Sequence, residues 1–295
     1  MKASGPVTDN LRGIGWALLA TALFTLAAAM AKVAVNDYHV LQILFFRQLM
    51  VFCSSLPAIS RSFPQSLHTT QPYWHLLRLC GAFTALSCGI WAVAVLPLTT
   101  AITLGFAQVF LVAVLARLFL GEAVGYHRMG AVLVGFIGVV IVMRPGADGL
   151  INLHALIPVA GALGAAAAII SVRRLSQTES TATLLVYQAL FVGLLAGIPL
   201  LWFWVSPTLS DTAFLLGMGA IAAMGQWSGV KALRLGEASV IGNVEYIKLV
   251  YATLLGFVVF AELPDQYTII GAAVIIGSSA FLFRRESRQQ RRNIR

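Results

Sequence analysis

The chain has 295 residues, 59% of them hydrophobic, with a mean hydropathy of +0.86 and only 11% charged. Soluble proteins carry roughly 25% charged residues, so these values exclude a soluble globular domain, a disordered chain, a coiled coil, a disulfide scaffold and a nucleic-acid binder. The sequence predicts an all-α polytopic membrane protein with a formal net charge of +9.

A helix needs roughly 20 mostly apolar residues to cross about 30 Å of hydrocarbon, where only bonds within the helix satisfy the backbone. That ruler predicts ten transmembrane helices, near 13–35, 38–58, 74–96, 98–120, 125–143, 153–174, 181–204, 211–230, 238–260 and 265–283. Pro64, Pro72, Pro97, Pro145-Gly146, Pro207 and Pro264 punctuate the connectors. The first run, preceded by Lys2 and Arg12 and closing on Ala27-Ala28-Ala29, is taken as a span rather than a cleaved signal, being too long for a signal's apolar core.

Polar residues inside the spans are the candidates for function. Helix 1 aligns Thr21, Thr25 and Lys32. Arg47 lies near the middle of helix 2 without a partner in its own helix. Its first reading is structural, bonding Glu245 or a neighbour's carbonyls; the alternative is neutralising an anionic group of a solute. Helix 3 carries Cys80, Thr84, Ser87, Cys88 and Trp91 along one face, and helix 4 carries Thr100, Thr103 and Gln108 on one arc. Helix 8 contributes Gln226 beside Trp227.

In helix 9, Glu245 and Lys248 are three residues apart and share a face. They either neutralise one another or offer an acceptor and a donor to a solute, and Glu245 is the natural proton carrier if transport is proton-coupled. A charge in hydrocarbon costs about 2.5–3.5 kcal/mol, so each needs a reason. Lys32, Arg78 and Arg117 lie near span ends and are expected to snorkel. The expected substrate-binding set is Glu245, Lys248, Gln108, Gln226, Trp91, Thr103, Ser87 and Arg47. The Ser and Thr hydroxyls can bond between helices instead, whereas a Gln amide suits an uncharged heteroaromatic edge.

Cys53, Cys80 and Cys88 lie inside spans with no CxxC spacing and are expected to be small packing residues. The histidines, at 39, 68, 75, 127 and 154, sit at span ends, where a solvated place is expected. No metal site and no cofactor are expected. Walker A, HExxH and GxSxG motifs and clustered carboxylates do not occur, which argues against an enzyme or an ATP-driven pump. Gly130, Gly135, Gly138, Gly161, Gly164, Gly271 and Gly277 suit close helix contacts. Glu122 and Glu262 are expected to cap a helix or bond a loop amide, with gating as the alternative.

Orientation follows from Lys and Arg placement. With the N-terminus cytoplasmic, the inner segments hold Lys2, Arg12, Arg61, Arg128, Arg173, Arg174, Lys231, Arg234 and the six arginines from Arg284 to Arg295, while the outer loops hold only Arg144. Both termini are therefore expected on the cytoplasmic side of a bacterial-type inner membrane.

The two halves align at a shift of 140 to 141 residues, which sets Lys32 on Arg173, Phe46 on Tyr187, Glu122 on Glu262, Gly130 on Gly271 and Arg144 on Arg285. Five crossings are odd, so a second copy enters the bilayer upside down. The expectation is two inverted five-helix repeats, residues 1–146 and 147–285, followed by a basic cytoplasmic tail, 286–295. Repeats of this kind suit alternating access around a shared site.

Leu96-Pro97-Leu98-Thr99-Thr100-Ala101 before a span ending Leu120-Gly121-Glu122, with Gly236-Glu237-Ala238-Ser239-Val240 leading to Phe260-Ala261-Glu262 in the second half, resembles the drug/metabolite transporter superfamily. The resemblance covers nearly the whole chain. It implies a solute carrier with a central cavity lined mainly by helices 1, 3, 4, 6, 8 and 9. Within the superfamily, Asp37-Tyr38-His39-Val40-Leu41-Gln42-Ile43-Leu44-Phe45-Phe46-Arg47-Gln48 is similar to bacterial riboflavin-uptake carriers, whose relatives include amino-acid exporters and S-adenosylmethionine carriers. The function expected is secondary transport of a small organic metabolite, riboflavin uptake first and export of amino acids or related metabolites second. The partners expected are a small-molecule solute and the lipid bilayer, with a homodimer left open and no nucleic acid.

Overall fold

The structure, a computed structural model, describes residues 10–60, 69, 71–120, 126–143, 153–175, 179, 181–235, 244 and 247–293. Their regular elements are all helical, in keeping with a chain whose apolar runs must bond their own backbones. The helices are α1 (Asn10–Ala34), α2 (Val40–Ser60), α3 (Pro72–Val95), α4 (Leu98–Gly105), α5 (Ala107–Leu120), α6 (Tyr126–Met143), α7 (Leu156–Leu175), α8 (Thr181–Gly197), the single turn α9 (Leu200–Phe203), α10 (Leu209–Leu235), α11 (Ile247–Phe260) and α12 (Gln266–Asn293).

Among the described residues, Leu11–Ala34, Val40–Pro57, Pro72–Val95 and Leu153–Val172 are long and apolar enough to cross a membrane by length and composition, and shorter apolar helices accompany them. The ten uninterrupted spans expected from the sequence are modified in three places. The run 98–120 breaks at Phe106, whose N–H turns back to the Thr103 carbonyl at 3.1 Å and ends the α4 ladder. The run 181–204 stops at Gly197, because Pro199 carries no N–H to continue the helix. The run 265–283 continues beyond its expected end, as α12, to Asn293.

The main helix pairs are α3 with α7, α1 with α10, α2 with α8 and α6 with α12. Helix α2 also packs on α10 and α5 on α7, while α11 lies against α1 and α4. Two of these crossings need glycine. A Cβ on Gly81 would stand 2.6 Å from the Gly164 carbonyl oxygen, and one on Gly164 would stand 2.7 Å from the Gly81 oxygen. At the α6–α12 crossing a Cβ on Gly271 would stand 2.7 Å from the Gly138 oxygen. Without an aqueous hydrophobic effect in lipid, such close backbone contact is what holds helices together.

Ile43, Leu44, Leu98, Leu104, Leu215 and Ile275 are fully buried between helices, while Leu194, Leu201 and Val258 are exposed, as lipid-facing residues are. Cys88 packs at the α3–α7 contact, with its Cβ 3.1 Å from where a side chain on Gly161 would begin. Cys53 and Cys80 are exposed instead, so the packing role expected of all three holds only for Cys88.

Candidate functional site

Polar side chains gather at the two ends of the bundle. At one end Lys32 closes α1. Its Nζ lies 2.6 Å from Glu262 Oε1, donates to the Leu96 carbonyl oxygen at 2.8 Å and sits 5.3 Å from the centroid of the Phe260 ring. Glu262 Oε2 accepts the Leu98 N–H at 3.0 Å. One ion pair therefore joins α1, the α3–α4 junction and the α11–α12 loop. Ala261, at φ 53°, adopts the left-handed conformation that turns the chain after α11 and brings Glu262 to Lys32. Beside it, the hydroxyls of Thr100 and Thr268 meet at 3.2 Å and tie α4 to α12.

The same end holds a second bridge. The Tyr38 hydroxyl donates to Asp211 Oδ2 at 2.7 Å, and this bond, with the negative charge beside it, pushes the phenol pKa up to about 12. Gln42 exchanges two bonds with the Val205 backbone, at 2.7 and 3.2 Å, and links α2 to the segment before α10.

At the opposite end His75 pairs with Glu179, which also accepts the Thr69 hydroxyl; both side chains of the pair are 4% exposed. The His75 ring packs 4.8 Å from that of Tyr187. His75 is thus buried and paired, not solvated as its place at a span end suggested. Arg78, expected to snorkel, is buried and donates to the Leu184 carbonyl at 2.8 Å and to Gln188 Oε1 at 3.0 Å.

Between the two ends lie most of the residues expected to bind substrate. At 1.5 Å per residue, Arg47 lies about 10 Å from the start of α2 and Lys248 about 18 Å from the end of α11, both counted from the Lys32 end. Lys248 falls in the first described turn of α11, and its Nζ is 5.6 Å from the centroid of Phe24. Gln108 is half-buried directly after the break at Phe106, and Gln226 is half-buried in α10. Trp91 is 52% exposed on α3. Two hydroxyls serve their own helices: Thr103 is fully buried and donates to the Thr99 oxygen at 2.7 Å, and Ser87 donates to the Phe83 oxygen at 2.7 Å. Glu245, together with Glu122 and Arg144, lies outside the described residues.

The sequence profile of the EamA-like transporter family matches this chain twice, over residues 11–144 and 153–284. The chain belongs to the EamA-like transporter family. Among EamA relatives, the riboflavin transporter of Vibrio cholerae serotype O1 is 32% identical, covering 96% of both chains. The S-adenosylmethionine uptake transporter of Rickettsia bellii is 27% identical, covering 96% of this chain and 97% of its own. The pseudopaline exporter of Pseudomonas aeruginosa is 28% identical, covering 92% and 95%. A crystal structure of a protein 19% identical covers 92% of this chain and 96% of its own with a TM-score of 0.63, a likeness of fold. As an EamA protein the chain is a transporter rather than an enzyme, and its solute is a small molecule.

Proposed function

We propose that the protein is a secondary carrier that takes up riboflavin by alternating access between two inverted five-helix repeats. The observation that carries the mechanism is a symmetry of contacts. Under the 141-residue shift, α1, α2 and α3 correspond to α7, α8 and α10, and the α3–α7 pair then corresponds to the α10–α1 pair. The pairs α2–α8 and α6–α12 each map onto themselves. The double match of one family profile supports the same division. Two equivalent halves can exchange conformations, and so expose one site to either side in turn.

Riboflavin is supported by the relative of that name, similar along the whole length, and by Gln108 and Gln226 as amides able to bond a heteroaromatic edge. The test is growth of a riboflavin auxotroph on low external vitamin when the protein is expressed. Rescue supports the reading; no rescue despite confirmed membrane insertion removes it. A second reading, transport of a zwitterionic metabolite, is favoured by the relatives named for S-adenosylmethionine uptake and pseudopaline export. It predicts that proteoliposomes accumulate such a solute and leave riboflavin outside.

A further inference from the structure

The side chain of Arg47 has no hydrogen bond or ion pair with any described residue. Among the described residues no carboxylate pairs with it. Other basic side chains inside the bundle are provided for: Lys32 has Glu262 and Leu96, and Arg78 has Leu184 and Gln188. A guanidinium held this deep without a partner is not explained by packing.

Its direction is fixed by its neighbours on α2. Leu49, Cys53 and Leu56 mark the exposed face of the helix, and at 100° per residue Arg47 points roughly 150° away from it. On one side of Arg47, Phe46 and Met50 meet Gly219 of α10, and Ser54 accepts a bond from Trp227. On the other side Gln48 approaches Gly193 of α8. Arg47 therefore enters the wedge between α8 and α10. Arg47 is half-buried at this place.

We propose that Arg47 is the residue that grips the transported solute, and that the group it takes is a planar pair of adjacent acceptor atoms. A guanidinium presents a rigid fork of N–H donors, and such a pair receives two of them in parallel. Two sources carry this chemistry: the N1 and C2 carbonyl edge of an isoalloxazine ring, and the carboxylate of a zwitterion. The inference rests on the carrier reading above, and its test separates the two sources.

Binding to the purified full-length protein is measured for riboflavin against 1-deazariboflavin, in which N1 becomes C–H, and for S-adenosylmethionine against its methyl ester. The wild type is expected to prefer the intact member of one pair by roughly tenfold or more, the usual worth of hydrogen bonds to a charged group. Arg47→Gln is expected to lose that preference. Arg47→Met is expected to melt no lower than the wild type without ligand, because no ion pair is broken.

Preference within the S-adenosylmethionine pair alone, lost in Arg47→Gln, supports Arg47 and overturns riboflavin as the solute. An undiminished preference in Arg47→Gln, or a lower melting temperature for Arg47→Met, overturns the role of Arg47 and leaves the carrier reading standing. Binding of neither pair by the wild type overturns both the role of Arg47 and the substrate proposed above.

Discussion

Lys32 and Glu262 stand 2.6 Å apart although 230 positions separate them in the chain, and around this pair α1, the α3–α4 junction and the α11–α12 loop converge. We propose that the N-terminus is cytoplasmic, as the distribution of basic residues suggests, which makes this the outer end of the bundle and the pair a candidate latch there. Glu262→Gln leaves an amide oxygen for the Leu98 N–H and removes the ion pair alone. The pair is only partly exposed, at 14% and 25%, so its loss is expected to cost on the order of 1–3 kcal/mol. A cysteine at Thr100 should then react faster with an impermeant thiol reagent from outside. Equal labelling rates in wild type and variant would show that the pair does not hold that end shut.

A second expectation concerns Lys248. Its ammonium lies near the Phe24 ring, an arrangement worth about 0.5–2 kcal/mol. Lys248→Ala should therefore reach the membrane at near-normal levels. If the ammonium also contacts the solute, uptake should fall by roughly tenfold or more, as when a charged hydrogen bond is lost. Wild-type uptake kinetics in Lys248→Ala would move the site elsewhere.

Much of this was legible in the chain itself. Helical runs and the Pro-marked connectors follow from span length and backbone chemistry, and α1, α2, α3 and α7 fall close to the expected bounds. The break at Phe106 did not show, because the one cue is Gly105, and glycine is common within the helices of this chain. Lys32, His75 and Arg78 were placed at span ends correctly but expected to reach solvent or headgroups. Their partners Glu262, Glu179 and Gln188 are more than 100 positions away, and no local spacing signals such contacts. Thr103 and Ser87 illustrate the opposite limit. A hydroxyl stripe looks the same in sequence whether it faces a solute or bonds its own helix. Arg47 was visible as a deep charge, while the absence of a described partner needed three dimensions.

The Tyr38–Asp211 bridge predicts a spectroscopic signature. Its folded pKa, about 12, lies above the ordinary 10.0, so the protonated phenol is the favoured form in the fold. Any stability it contributes is complete below pH 10.0 and lost as pH climbs through about 12. In a difference titration followed by phenolate absorbance, Tyr38→Phe should delete a transition near 12, and Asp211→Asn should bring that transition down. A deleted transition centred near the ordinary tyrosine value would mean that the bridge is not formed.

The helix crossings give the last and most graded prediction. Leu23 and Thr84 correspond to Gly164 and Gly225 under the 141-residue shift, and the two contacts are counterparts: Gly164 lies against Thr84, and Gly225 against Leu23. A Cβ at Gly164 would meet the Gly81 backbone oxygen at 2.7 Å, which cannot yield without moving a helix. At Gly225 its nearest neighbours would be the Leu23 Cβ and the Phe24 ring, at 3.3 Å, a milder crowding relieved by a shift of a few tenths of an ångström. At Gly277 it would meet nothing within 4 Å. Alanine should therefore cost most at Gly164, about 1–3 kcal/mol or more, less at Gly225, and at Gly277 should be neutral or slightly stabilising. Melting temperatures of the three variants in one detergent test the order. If Gly225→Ala proved as damaging as Gly164→Ala, the two crossings would be equally tight, and the difference between their backbone and side-chain contacts would not be what sets their tolerance.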